Sequence, residues 1–383
     1  MLDAKSTALA KGLMKKYYEK MAGLAPGSVE KCEFGFGDFE KKIVYRHYSF
    51  KDEKSLKDYL IRTVPPFVSC SAALYEKPDA KVTMESKKLL GSDLVFDLDA
   101  NDIKLSCRAT HGNAWVCEEC FDAVKRETIE LVENFLVPDF AIPYKDTSIN
   151  FSGNRGYHVH VRNDNVFKLN AAARQQISDY ITGNNIDLNV FFPALGRKGV
   201  RLEGPKPTDQ GWGGKLANGI INALNSGESS LLELGIDKKN VNILMRKRAD
   251  IIFGITTGNW DKVNIPKKAE FWTNVLKSIA IKQSESIDRG VLKDIYHLIR
   301  VPGTIHGDTG LIAMNVGGVK ALEEFEPMDD AIAFSEGTVK VKATKVPEFE
   351  MGGNEYGPFD GDEVELPTYA GVYLVLKRLA AAI

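Results

Sequence analysis

Apolar positions along this chain switch between two periods, and the switches mark its elements. Residues 3–22 repeat apolar side chains at helical spacing and predict an amphipathic helix. KKIVYRHYSF (41–50) reads as a strand, and KDEKSLKDYLIR (51–62) as a short helix that Pro65 and Pro66 end. LVFDLD (94–99) alternates as a strand does, residues 118–137 return to a helical period, and INFSGNRGYHVHV (149–161) reads as a hairpin turning at Gly153–Gly156. Residues 168–183 are a predicted helix, and about 206–285 form a predicted helical insertion with Gly and Asn breaks. Strand signals return at GTIHGDTGLIAM (303–314) and GTVKVKA (337–343). GGNEYGPFDGDE (352–363) predicts a flexible acidic loop, followed by a final helix over AGVYLVLKRLAAAI entered through Pro367. The expected architecture is a mixed α/β core over residues 1–345, with 346–383 as an acidic loop and a C-terminal helix packed on it.

Composition changes this picture little. Among 383 residues, 44% are hydrophobic and 27% charged, an ordinary globular balance. No apolar run is long enough to span a bilayer and the N-terminus carries no signal-peptide pattern, so a cytoplasmic, non-membrane protein is expected. A net charge of −2 excludes a generally basic nucleic-acid binder, and any polynucleotide must be held by local basic patches.

Candidate chemistry begins at Asp97 and Asp99. Alternation in a strand puts both carboxylates on one face, where they repel unless a cation lies between them. Hard divalent cations such as Mg²⁺ favour such oxygen ligands, with substrate phosphates completing the shell. Asp-x-Asp is also common where a strand end caps a turn, so the pair alone leaves both readings open. Just beyond it stands Cys107-x₃-His111-x₅-Cys117-x₂-Cys120. Three of the chain's five cysteines and one imidazole at such spacing form a closed tetrahedral set, which points to a structural zinc knuckle over about 103–122. In Ser152-Gly153-Asn154-Arg155-Gly156-Tyr157-His158, two glycines allow close approach of backbone N–H groups to an anion. Arg155 adds a bidentate phosphate donor and Ser152 a hydroxyl. A second basic cluster holds His297, Arg300 and His306, and Asp288 by pattern alone reads as the N-cap of a following helix.

Together DLD at 97–99, SGNRGYHVHV at 152–161 and IRVPGTIHGDTGL at 299–311, with the Cys-His-Cys-Cys set between the first two, resemble the catalytic small subunit of archaeal and eukaryotic DNA primases. The opening CEFGFGDFEKKIVYRHYSF and VSCSAALYEKP are similar as well, so the resemblance covers roughly residues 10–345. It implies a primase-type catalytic core and template-directed joining of nucleoside triphosphates into short primers on single-stranded DNA. Position by position, it implies that Asp97, Asp99 and Asp288 bind two Mg²⁺ or Mn²⁺ ions, which replaces the N-cap reading of Asp288. It implies that Ser152, Gly153, Arg155, His158, Arg300 and His306 hold the incoming triphosphate, with Arg46 at a further basic position. Asn154 departs from the pattern, since eukaryotic members often carry a second arginine there. A large subunit with an iron–sulfur domain is the implied partner, and the choice between NTPs and dNTPs stays open. LVFDLDAND also resembles the first motif of haloacid-dehalogenase-type phosphatases, but GDTG at 307–310 lacks the acid that class needs. A metal-dependent glycosyltransferase leaves the cysteine set and SGNRGYH unexplained, and a non-catalytic zinc protein leaves the three aspartates without a purpose.

Overall fold

The computed structural model describes residues 2–24, 27–81, 83–184, 186–192, 201–263, 265–282 and 294–383, and divides the chain into two compact units. The first comprises residues 1–130, 142–175 and 286–383, the second 131–141 and 176–285. No helix among the described residues is long and apolar enough to cross a membrane.

The two largest sheets of unit one are both antiparallel. In the first, the strands are β1 (Cys32–Gly37), β2 (Tyr45–Tyr48), β3 (Phe67–Tyr75) and β4 (Leu89–Ser92), in the order β2-β1-β3-β4, and β8 (Leu298–Arg300) also pairs with β3. Helices α1 (Ala4–Lys20) and α2 (Glu53–Thr63) contribute Met14, Tyr18, Leu56 and Leu60 to a core shared with Phe34 and Phe36 of β1. Asp3 caps α1 by accepting from the Ser6 backbone N–H at 2.8 Å. A capping box of Asp52 and Ser55 starts α2, and Val64 in the left-handed region ends it just before the two prolines.

In the second sheet, β5 (Leu94–Asp99), β6 (Thr147–Phe151), β7 (Gly156–Val161) and β9 (Met314–Gly317) lie in the order β5-β7-β6-β9. Along β5, Leu94, Val95, Phe96 and Leu98 are buried while Asp97 and Asp99 are partly exposed, as the alternation predicts. Helix α4 (Glu118–Glu130), which follows the one-turn α3 (Arg108–His111), packs on β5 and β7. Phe121, Phe151, Tyr157 and Phe325 meet there ring to ring at 5.6–6.4 Å. Each fully buried Phe or Leu of that face contributes about 1.5–3 kcal/mol, so a one-residue slip of β5 would expose the apolar set and bury the acids.

Three expected elements differ. Residues 304–313 form a compact turn with isolated bridges Ile305–Ile312 and Leu311–Ile332, and the strand is Met314–Gly317. Hydrogen bonds from the Thr309 and Gly310 N–H groups to the His306 carbonyl close that turn. The acidic segment is not a loop: Phe349–Met351 and Asn354–Tyr356 form a hairpin, and Phe359–Asp360 pairs with Lys345–Val346. Gly352 and Gly353 both have positive φ, the requirement of a tight hairpin turn, while Phe349 and Met351 are buried. The final helix is Thr368–Leu376; beyond it Arg378 turns at φ 63° and Ala380–Ala382 adds a strand beside Thr338–Ala343.

Unit two contains helices α7 (Trp212–Ser226), α8 (Glu228–Glu233), α9 (Lys238–Arg246), α10 (Arg248–Thr256) and α11 (Lys268–Lys282). They are preceded in the chain by α5 (Asp164–Phe167) and by α6 (Ala171–Ile181), which runs into this unit. Trp260 and Trp272, buried with centroids 5.0 Å apart, centre its core. Lys215 and Tyr180 both donate to Asp139, at 2.6 and 3.0 Å. The fold is thus a mixed α/β core with a cysteine-histidine knuckle and a helical insertion.

Candidate active site and metal centre

Pairing of β5 with β7 builds the site. Register sets Asp97 opposite His158 and Asp99 opposite Gly156, and Asn150 of β6 opposite His158 on the other side. His158 Nε2 stands 3.4 Å from Asp97 Oδ1. Arg155, leaving the hairpin turn, donates from Nε to both oxygens of Asp99, at 2.6 and 2.8 Å. Its terminal N–H groups make no protein hydrogen bond among the described residues, so they remain available to an anion. Asp99 also accepts from the Asn101 N–H at 2.9 Å, which fixes the carboxylate at the strand end.

The hairpin turn is shaped by contacts from the second basic segment. Ser152 N–H donates to the Gly156 carbonyl at 2.9 Å, and Asn154 N–H to Ser152 Oγ at 3.3 Å. Gly153 has φ +79°, and a Cβ there would meet His306 Cβ at 2.9 Å and the Ala313 nitrogen at 3.1 Å. The glycine is therefore required for the hairpin to lie against His306. Thr309 Oγ1 donates to the Gly153 carbonyl at 2.5 Å and locks that approach.

His306 is buried edge-on against Phe67, with centroids 5.2 Å apart. Burial, reinforced by Arg300, pushes its imidazole well below the ordinary histidine range. Its Nδ1 accepts from the Asp308 N–H at 3.2 Å, so the neutral ring presents an Nε2–H donor. Burial likewise pushes His158 down to about 3, with His160 and Arg300 adding to the effect. Arg300 ends β8 opposite Ser69; its guanidinium stacks over Phe67 at 4.9 Å and donates to the Val68 carbonyl at 3.4 Å. Burial lowers it to about 10, so it stays charged. Charge reaches these imidazoles from Lys42 as well, and at His306 from Lys377 and Arg155.

Hence the structure brings Asp97, Asp99, Gly153, Arg155, His158 and His306 into one linked group, with Ser152 inside the turn and Arg300 beside His306. Arg46 is not joined to it by any contact among the described residues. It donates to the buried Glu33 at 2.7 Å and to the Tyr296 carbonyl at 2.5 Å. Asp288 lies outside the described residues.

The metal centre is separate. Sγ of Cys107, Cys117 and Cys120 and a ring nitrogen of His111 lie within 4.8 Å of one another. The closest pairs are Cys107–Cys120 at 3.5 Å, His111 Nε2–Cys117 at 3.3 Å, Cys117–Cys120 at 3.6 Å and Cys120–His111 Nε2 at 3.6 Å. A tetrahedral zinc shell, with Zn–S near 2.3 Å, sets its ligand atoms about 3.4–3.8 Å apart, so the four fit. His111 Nδ1 donates to the Gly112 carbonyl at 2.8 Å, which leaves Nε2 as the ligating lone pair. Burial and the adjoining thiols push Cys107 up to about 12, so a cation is what lets these sulfurs share the space as thiolates.

Comparison with known proteins identifies the family. The sequence profile of the family described as DNA primase small subunit matches residues 96–317, which hold Asp97 through His306. This chain belongs to the DNA primase small-subunit family. It is 32% identical to the DNA primase small subunit PriS of Methanothrix thermoacetophila, over 99% of both chains. It is 31% identical to PriS of Methanococcoides burtonii over 99% of both, and 32% identical to PriS of Thermoplasma volcanium over 87% of this chain and 84% of that one. The chain is thus a DNA primase subunit, and its enzyme class is DNA-dependent nucleotidyltransferase. In a primase, DNA and nucleoside triphosphates are the substrates, and a small subunit has a partner subunit. Lys377, whose charge acts on His306, shows in the sequence only as half of a basic pair inside the apolar run AGVYLVLKRLAAAI.

Proposed function

We propose that this chain synthesises primers by two-metal nucleotidyl transfer on a single-stranded DNA template, as the catalytic half of a heterodimer with a large subunit carrying an iron–sulfur domain. The observation that carries this reading is the joining of the acid pair to the anion-binding hairpin, through Arg155 on Asp99 and His158 on Asp97. Asp97 and Asp99, half-exposed on one face of β5, fit hard divalent cations, and Asp288 is the proposed third carboxylate. Mg²⁺ or Mn²⁺ held by these carboxylates would lower the pKa of the attacking 3′-hydroxyl and neutralise charge developing on the leaving pyrophosphate.

The remaining work belongs to the protein. Arg155 and Arg300 grip phosphate oxygens, and Ser152 and the Nε2–H of neutral His306 add directed donors that hold the triphosphate in line. Neutral His158 beside Asp97 avoids a fixed cation that would compete with the metal. Arg46, engaged by Glu33, orders the neighbouring sheet edge and acts on the nucleotide only at a distance. Cys107, His111, Cys117 and Cys120 hold a structural Zn²⁺. The test is primer synthesis on poly-pyrimidine single-stranded DNA, with and without the large subunit, with NTPs or dNTPs, in Mg²⁺, Mn²⁺ or chelator. Template-dependent oligomers and pyrophosphate release that vanish with chelator support the reading; metal-independent synthesis overturns it.

A further inference from the structure

The helix Thr368–Leu376 is buried along its length and delivers Lys377, its C-cap, to the edge of the phosphate hairpin. Nζ lies over the Tyr373 ring, 5.6 Å from its centroid. Nζ stands 3.5 Å from Asn154 Oδ1 and 3.5 Å from the Ala114 carbonyl. Both acceptors are neutral and both contacts are long, so three N–H donors of a half-buried ammonium are poorly met. No carboxylate lies within ion-pair distance of Nζ among the described residues. The charges that act on it are those of Arg155, Asp308 and Asp99. Burial, with Arg155 adding to it, lowers the amine to about 8, which marks its charge as incompletely compensated. A charge kept in such a place without a partner is costly unless an anion arrives to meet it.

Position 154 gives the anion its identity. Asn154 stands between Gly153 and Arg155 in the anion-binding turn and brings no charge of its own. Here the cation reaches the same point of the turn from the far end of the chain, touching the side chain of residue 154 itself. We propose that Lys377 is a substrate-contacting residue that binds the triphosphate of the incoming nucleotide and stands in for a cation at position 154. This rests on the reading of the hairpin as the phosphate-binding element.

The test uses the full-length chain with a nucleoside triphosphate and, separately, inorganic tripolyphosphate as probes. Affinities are measured for the parent, Lys377→Met, Lys377→Arg, Lys377→Met combined with Asn154→Arg, and Arg155→Ala, together with single-stranded DNA affinity and thermal unfolding. Loss of one charge-assisted phosphate contact predicts roughly a tenfold weaker affinity for both probes in Lys377→Met. Lys377→Arg should stay near the parent, and Asn154→Arg should restore much of the loss. DNA affinity should be unchanged. If Arg155→Ala weakens the probes while Lys377→Met leaves them unchanged, this inference fails and the hairpin reading stands. If Arg155→Ala has no effect, the hairpin reading itself fails. A Lys377→Met protein that loses DNA affinity instead, or one that Asn154→Arg does not rescue, overturns the proposal. Should Lys377→Met not fold, Lys377→Gln serves in its place under the same outcomes.

Discussion

Gly153→Ala is a one-methyl perturbation whose cost follows from the coordinates. The residue has φ +79°, and the added Cβ would lie 2.9 Å from His306 Cβ and 3.1 Å from the Ala313 nitrogen. An L-residue in the left-handed region costs roughly 1–2 kcal/mol. Neither contacted atom is the end of a flexible side chain, so overpacking adds about 1–2 kcal/mol more. The total of about 2–4 kcal/mol must appear as displacement of the hairpin, as lost stability, or as both. Displacement moves Arg155 and Ser152 away from the line set by His306 and breaks the Thr309–Gly153 bond. At about 1.4 kcal/mol per factor of ten, nucleotide affinity then falls roughly thirty- to a thousandfold if the whole cost falls on binding. Any part that falls on the fold lowers the unfolding temperature by about 2–4 °C per kcal/mol. Nucleotide titration and thermal unfolding in one buffer measure both parts. A Gly153→Ala protein with parental affinity and parental unfolding temperature would refute the proposed contact between hairpin and His306.

Two further predictions concern the fold around the site. Cys117→Ser should release zinc and lower the unfolding temperature, because three ligands no longer close the shell; parental zinc stoichiometry in the variant would reject the assignment. Asp93 is buried and accepts from Arg162 Nη2 at 2.7 Å, with His160 nearby. Burial alone would raise its carboxyl, but the Arg162 hydrogen bonds and charge, with the His160 imidazole 3.8 Å away, outweigh it and hold the carboxyl below the usual range. Its stabilisation is therefore present above the unfolded pKa of about 3.9 and is lost as pH falls through the lower folded value. Asp93→Asn should be less stable than the parent at neutral pH, with the gap closing below about pH 4. A gap that does not change with pH contradicts the pairing.

What was legible in the sequence was local. The LVFDLD alternation placed Asp97 and Asp99 on one face, because period two along a strand depends only on neighbours. The cysteine spacing gave the knuckle for the same reason, and Pro65 with Pro66 marked the end of α2. Ile305, Leu311 and Ile312 carried a strand-like apolar pattern, yet they fill a turn closed by His306 and Thr309. Burial of a turn and burial of a strand leave the same residues in the sequence. Partnerships across the chain could not be read at all. Arg155 pairs with Asp99 through the β5–β7 register, the tautomer of His306 is set by the Asp308 backbone, and Lys377 reaches Asn154 only once the last helix is packed. The acidic segment was misread because its charged residues lie outward on a hairpin, while Phe349 and Met351 anchor it.

Asp97 and Asp99, as the proposed ligands of the cations of nucleotidyl transfer, are the residues whose loss is most telling. Asp97→Asn and Asp99→Asn keep size and much hydrogen bonding while each removes one negative charge. Metal-borne stabilisation of the transition state is worth several kcal/mol, so its loss should slow primer synthesis by about a thousandfold or more. The decisive measurement is single-turnover nucleotide incorporation with saturating Mg²⁺ by parent and variants of matched zinc content and unfolding temperature. If the two aspartates hold the cations, both variants lose at least about three orders of magnitude; either variant incorporating nucleotide at the parental rate would show that they do not.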